Sequence, residues 1–255
     1  MKENWTREET IIAFSLYCKL PFRDSTRDSR LVEEYAAILK RTPASVILKI
    51  GDLGRLDSGL KGYSNTGPVR GLKLDREIWS EFLQNPMQFV YNGEKLIARV
   101  TGRSIEDVAE IDEDNLPKGC SHKDSLRTKI GFGFFRKVVL SSYNSTCCVS
   151  GVRNPLLVEA CHITEWDDDE NKIVDPRNGL CLNYLMHKAY DRKLISVSPD
   201  YKICVSDAMI ESAMREDFRK YVTSINNRRI LMPDRFRPSR EMLALHYEEF
   251  KKRNM

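Results

Sequence analysis

Only four histidines occur in this 255-residue chain, and two of them fall in one short unit. His162 ends an apolar run, Asn178 follows 16 residues later in a turn, His187 nine beyond that, and Asp191 four further on. On a helix an i, i+4 pair shares one face about a turn apart, so an imidazole nitrogen of His187 and a carboxylate oxygen of Asp191 are spaced to hold one cation. His162, not required as a ligand, then suits a general base, because a neutral imidazole takes a proton from water near pH 7. With an ordinary imidazole pKa of about 6.5, such a rate rises with pH as the ring deprotonates. Asn178 is expected to orient the base. Arg177 and Arg192, beside Asn178 and Asp191, are candidates to bind a phosphate or to pair with the acidic loop at 166–170. His246 lies in a helical pattern with Leu243 and Phe250, where packing accounts for it.

The elements that must position these residues are legible in part. Phe134 to Tyr143 reads as a helix that delivers the chain to a short strand, Thr146 to Val149. A second strand is expected at Leu156 to Ile163, an exposed acidic loop at 166–170, a tight turn at Asp175 to Gly179, and a helix at Leu180 to Asp191. Upstream, Thr6 and Glu9 form a capping box before an apolar helix that Pro21 ends. A second helix spans Asp28 to Lys40, and a third starts at Thr42 with Pro43 in its first turn and runs towards Leu53. The near absence of a loop between these two, with Lys49 and Arg55 on the third, predicts a helix-turn-helix reader of DNA; small three-helix domains that bind protein share the pattern. Residues 58–72, with four glycines, form a connection, and a helix over Leu74 to Phe89 is expected to stop at Asn85-Pro86. The resulting division is a helical domain over 1–60, a linker with one helix and an acidic stretch over 61–125, and a second domain over 126–255.

Composition excludes some classes. No apolar run approaches the roughly 18 residues of a membrane span, and the charged amino terminus, MKENWTREE, lacks the apolar stretch of an export signal. A cytoplasmic chain that meets no membrane is expected. Seven cysteines with no CxxC pair argue against both a disulfide framework and a tetrathiolate zinc site. The net charge of +4 is modest, but its distribution is uneven. Lys40 to Lys73 carries seven Lys or Arg against two acids, Arg215 to Arg240 eight against three, and Ser104 to Asp114 six acids and no base. Whether the second basic stretch, with Arg228 and Arg229, meets nucleic acid is left open by charge alone.

The segments FFRKVVLSSYNSTCCVSG, LLVEACHI, DPRNGLCL and HKAYDRKLIS, followed by MPDRFRPSREMLALHYEEF, resemble the HNH endonuclease family in its bacterial restriction-type variant. WTREETIIAFSLYCKLPF is similar to the leading segment of bacterial HNH proteins. The resemblance implies an α+β fold whose C-terminal half holds a ββα-metal nuclease domain, preceded by the helix-turn-helix-like domain. It implies metal-dependent hydrolysis of DNA phosphodiesters in restriction or anti-phage defence. His162 and Asn178 would be catalytic, His187 and Asp191 would hold a divalent metal ion, Mg²⁺ first and Mn²⁺ next, and Arg177, Arg192, Lys49 and Arg55 would bind DNA. A homodimer or a regulatory protein partner is compatible with it. The alternatives are a nuclease subunit held inactive by a partner and a DNA-binding regulator that keeps a decayed nuclease fold.

One position departs from the pattern. In many HNH sites an aspartate or histidine just before the base also binds the metal, whereas this chain has Cys161. Since a hard cation prefers oxygen and buried cysteine usually acts as a small apolar residue, Cys161 is expected to be structural. Glu159, two residues earlier on the same strand face, is the candidate to support the metal site from behind.

Overall fold

A computed structural model describes residues 4–21, 24, 26, 28–57, 73–111, 121–122, 124–165 and 169–254. The glycine-rich connection at 58–72, Trp166 with the first acids of the loop, and the last residues of the acidic stretch, 112–114, lie outside the described residues. Helix α1 (Arg7–Lys19) starts at the expected box, Thr6 Oγ1 accepting from Glu9 N and Glu9 accepting from Thr6 N. It is buried on nearly every side, because α2 (Arg30–Ile38), α3 (Pro43–Gly54), α4 (Lys73–Gln84) and α5 (Pro86–Thr101) all pack around it. Asn85-Pro86, expected as a stop, ends α4 and at once begins α5. Asn85 caps Gln88 N, and proline at the first helical position gives up no needed N–H. So 73–101 forms part of the helical core through Ile78, Phe82, Met87 and Val90, and not a linker.

After α6 (Ile105–Ala109), the long α7 (Leu126–Ser142) joins the two halves. Its Ile130, Phe132, Phe134 and Val138 face the helical core, while Phe135 and Val139 face a second core. The expected strand at 146–149 is a hydrogen-bonded turn with a single bridge, Thr146 to Arg153. The hairpin is instead β1 (Val158–His162) against β2 (Gly179–Asn183), antiparallel, with His162 opposite Gly179. The short α8 (Asn171–Val174) and a 3-10 turn, Pro176–Asn178, precede β2, and α9 (Tyr184–Asp191) follows it. The apolar run from Leu180 therefore begins as strand, and Asn183 caps the helix by accepting from Met186 N.

A second hairpin, β3 (Ile195–Val197) with β4 (Ile203–Val205), is followed by α10 (Asp207–Glu211), α11 (Glu216–Ile225) and α12 (Arg240–Arg253). The fold is α+β, with a helical N-terminal region and the hairpins in the C-terminal half. Arg235, almost wholly buried, clamps the halves together by donating to the carbonyls of Tyr17 and Leu20 at the end of α1. Among the described residues no helix is long and apolar enough to cross a membrane.

Candidate active site

At the His162 end of the first hairpin, β1, α9 and α12 enclose a cleft of about 380 Å³. His162, Thr164, His187 and Asp191 line it, with Leu245 and Glu249 of α12 as the opposite wall. That wall comes from a segment more than 50 residues distant in sequence from Asp191, and nothing local in the sequence marked it.

His162 is held on two sides. Its ring stacks on Phe135 at 3.7 Å and meets Phe132 edge-on. Its Nε2 lies 3.0 Å from the Ile173 carbonyl oxygen. That oxygen only accepts, so Nε2 carries the proton and Nδ1 keeps the lone pair. Burial lowers the pKa of His162 to about 4, well below the ordinary value assumed from sequence, so the ring is neutral at pH 7.

Asn178 makes no bond to His162. Its side chain is fully buried, accepts from Thr164 N at 3.0 Å and Thr164 Oγ1 at 3.2 Å, and donates to the carbonyls of Thr164 and Lys172, each at 3.2 Å. It thus ties the chain just after His162 to the residue next to Ile173, whose carbonyl fixes the ring. The hold of Asn178 on the His162 ring is indirect, through these two backbone segments.

His187 has the opposite tautomer. Its Nδ1 donates to Glu159 Oε2 at 2.7 Å, leaving the Nε2 lone pair towards Asp191 Oδ1 at 3.7 Å. That separation exceeds a hydrogen bond but suits two donors bonded at about 2.1 Å to one cation. Cys161, expected to be structural, places its sulfur 4.0 Å from Asp191 Oδ1, and donor atoms of Cys161, His187 and Asp191 lie within 4.8 Å of one another. The alternation of a strand explains this: Glu159 and Cys161 share the face towards α9. One nitrogen, one carboxylate oxygen and one sulfur therefore fit a divalent cation, with Glu159 holding the His187 ring from behind.

The expected phosphate ligands fare differently. Lys49 is buried in the helical core, bonded to Asp75 and lying over the Trp5 ring, so it offers no charge to a groove. The outward face of α3 presents Leu48 instead, which corrects the reading of α3 as a basic recognition helix. Arg55 pairs with Asp52 at 3.2 Å, and Arg177 clamps Asp175 through Nε and Nη2. Arg192 is exposed just past α9. His246 is a packing residue, as its surroundings in sequence imply: it stacks on Tyr190 at 3.7 Å and bonds Ser196 and the Tyr190 carbonyl.

Comparison with curated proteins finds no match. Residues 147–198 match the family model described as HNH endonuclease, a segment that holds the whole first hairpin, α9 and both site histidines. In that segment, and on that match, the chain carries an HNH endonuclease domain.

Proposed function

We propose that the protein is a metal-dependent endonuclease that hydrolyses DNA phosphodiester bonds, with restriction or anti-phage defence as its setting. The observation that carries the reading is the pair of opposite tautomers. One histidine gives its Nε2 proton to a backbone carbonyl, which leaves Nδ1 as the basic nitrogen, and the other is backed by Glu159, as a ligand needs. His162 Nδ1 takes a proton from the attacking water while a new bond forms from its oxygen to phosphorus and the bond to the leaving sugar oxygen breaks. Asn178 keeps that nitrogen in place by holding both loops. His187 Nε2, Asp191 and Cys161 would hold the cation, which when bound neutralises charge on the reacting phosphate. Sulfur in the set shifts preference from Mg²⁺ towards Mn²⁺ and softer ions. The intact set speaks against a decayed regulator, and a single site cuts one strand, so a double-strand break requires two copies or two successive events.

The test is cleavage of supercoiled plasmid by purified protein with Mg²⁺ or Mn²⁺, together with calorimetric titration of Mn²⁺. His162→Ala should lose about 10² to 10⁴ in rate and keep metal affinity, whereas His187→Ala should lose both. Loss of metal binding in His162→Ala, or full cleavage in chelator, overturns the assignment.

A further inference from the structure

The second basic stretch is only partly consumed by the fold. Arg235 is buried, Arg215 and Lys220 pair with Asp217 and Glu216 on the surface, and Arg219 donates to the Ala213 carbonyl. The rest converges. Lys202, at the tip of the second hairpin, forms an antiparallel bridge with Arg229. The Arg229 and Arg240 guanidinium groups lie over the same Tyr201 ring, at 5.8 and 5.4 Å from its centre. Tyr201 Oη in turn donates to the Pro238 carbonyl, beside Arg237. Lys202, Arg228, Arg229, Arg237 and Arg240 are all exposed, and among the described residues none of them forms an ion pair. Asp200 and Glu241 adjoin the group in sequence without pairing with it.

Such a cluster repels itself and is costly to keep unless an anion lies across it. Its direction identifies the anion. Ser239 N donates to the Arg177 carbonyl at 2.8 Å, so the cluster runs through the start of α12 to the residue before Asn178, and α12 then continues as the wall of the cleft. We propose that Lys202, Arg229 and Arg240 form a track for the phosphates of duplex DNA that flank the one being cut, a site brought together by the fold from three separate segments. Tyr201, itself buried, spaces the two arginines and does not stack on a base. This rests on the nuclease reading for its substrate.

Fluorescence anisotropy with a duplex, in chelator and over a range of salt, tests it. Arg229→Gln with Arg240→Gln should reduce the salt slope by about 2, since each phosphate contact contributes about 0.9. The lysine pair, Arg229→Lys with Arg240→Lys, should restore the slope. Arg215→Gln with Lys220→Gln removes the same charge off the track and should leave the slope as in wild type. An unchanged slope in the first variant, an equal drop in the control, or no duplex binding by wild type overturns the track. Should wild type bind with the expected slope yet not cut with any metal, the track stands and the nuclease reading fails.

Discussion

The helical half and the hairpin half both bury polar side chains, but they turn them in different directions. In the helical half the buried and half-buried charges meet their opposites inside the fold: Lys49 with Asp75, Lys19 with Glu94 at 2.5 Å, Arg41 with Glu9 at 2.9 Å. Lys19 and Glu9 fasten α5 and the start of α3 to α1, Lys49 and Asp75 fasten α3 to α4, and the charges so paired are not on offer to a ligand. In the hairpin half His162 and His187 each spend one ring nitrogen on the fold and line the cleft, while Lys202, Arg229 and Arg240 are exposed and form no ion pair among the described residues. Residue type alone does not separate a ligand contact from an internal strut. What separates them is whether the fold supplies the counter-charge.

The strongest way to break that comparison is Lys49→Ala. If the lysine is a strut, its loss strands Asp75, whose Oδ2 already lacks a partner, in the core. Stability should fall by about 3 to 5 kcal/mol in urea melts, while the salt slope of DNA binding stays as in wild type. A lower slope with little loss of stability would restore α3 as a DNA contact. Replacing both partners, Lys49→Met with Asp75→Leu, should recover most of the loss, since no charge is then left buried.

Acidification sharpens the contrast from the other side. His246 has its pKa lowered to about 4 by burial, with Lys193 adding to the effect. A histidine whose folded pKa lies below its unfolded value of about 6.5 contributes stability that is full above pH 6.5 and is lost as pH falls towards 4. The shift corresponds to roughly 3 kcal/mol. Between pH 7 and 4.5 wild type should therefore lose about 2 to 3 kcal/mol more than His246→Gln in urea melts; parallel profiles would mean that the ring is not held neutral.

How much of this the sequence revealed follows from which signals are local. The α1 box and the Thr42-Pro43 start of α3 are set by neighbours within a turn and stand in the structure at those positions, and His162, His187 and Asp191, close in sequence, line one cleft. Helix α5 was hidden because proline marks a helix start as well as a stop. Strand β2 was hidden because a short apolar run such as Leu180 to Leu182 has no period that distinguishes strand from buried helix. The fate of Lys49, the approach of Cys161 to Asp191 and the α12 wall depend on partners distant in the chain. Local pattern carries no trace of them.

The smallest expected effect concerns how closely the two halves meet. Gly179, opposite His162 in the hairpin, sits where β2 crosses α7, and its φ of −124° is open to any residue, so glycine is required here by space and not by backbone conformation. A Cβ there would overlap the Val139 side chain and come within 3.1 Å of the Phe135 ring. Phe135 is also the ring on which His162 stacks. One methyl group should therefore do two things at once: overpack the junction by about 1 to 3 kcal/mol, and tilt the base by moving its support. Misplacing a catalytic group by about 1 Å costs up to 10²-fold, so Gly179→Ala should lower cleavage about 10- to 10²-fold with DNA affinity and metal affinity unchanged. Adding Val139→Ala removes the worse of the two clashes and should return part of the stability but less of the rate, because Phe135 remains displaced. Full activity in Gly179→Ala would show that the seat of His162 does not depend on α7, and the boundary between strut and catalytic group would then lie further inside the hairpin.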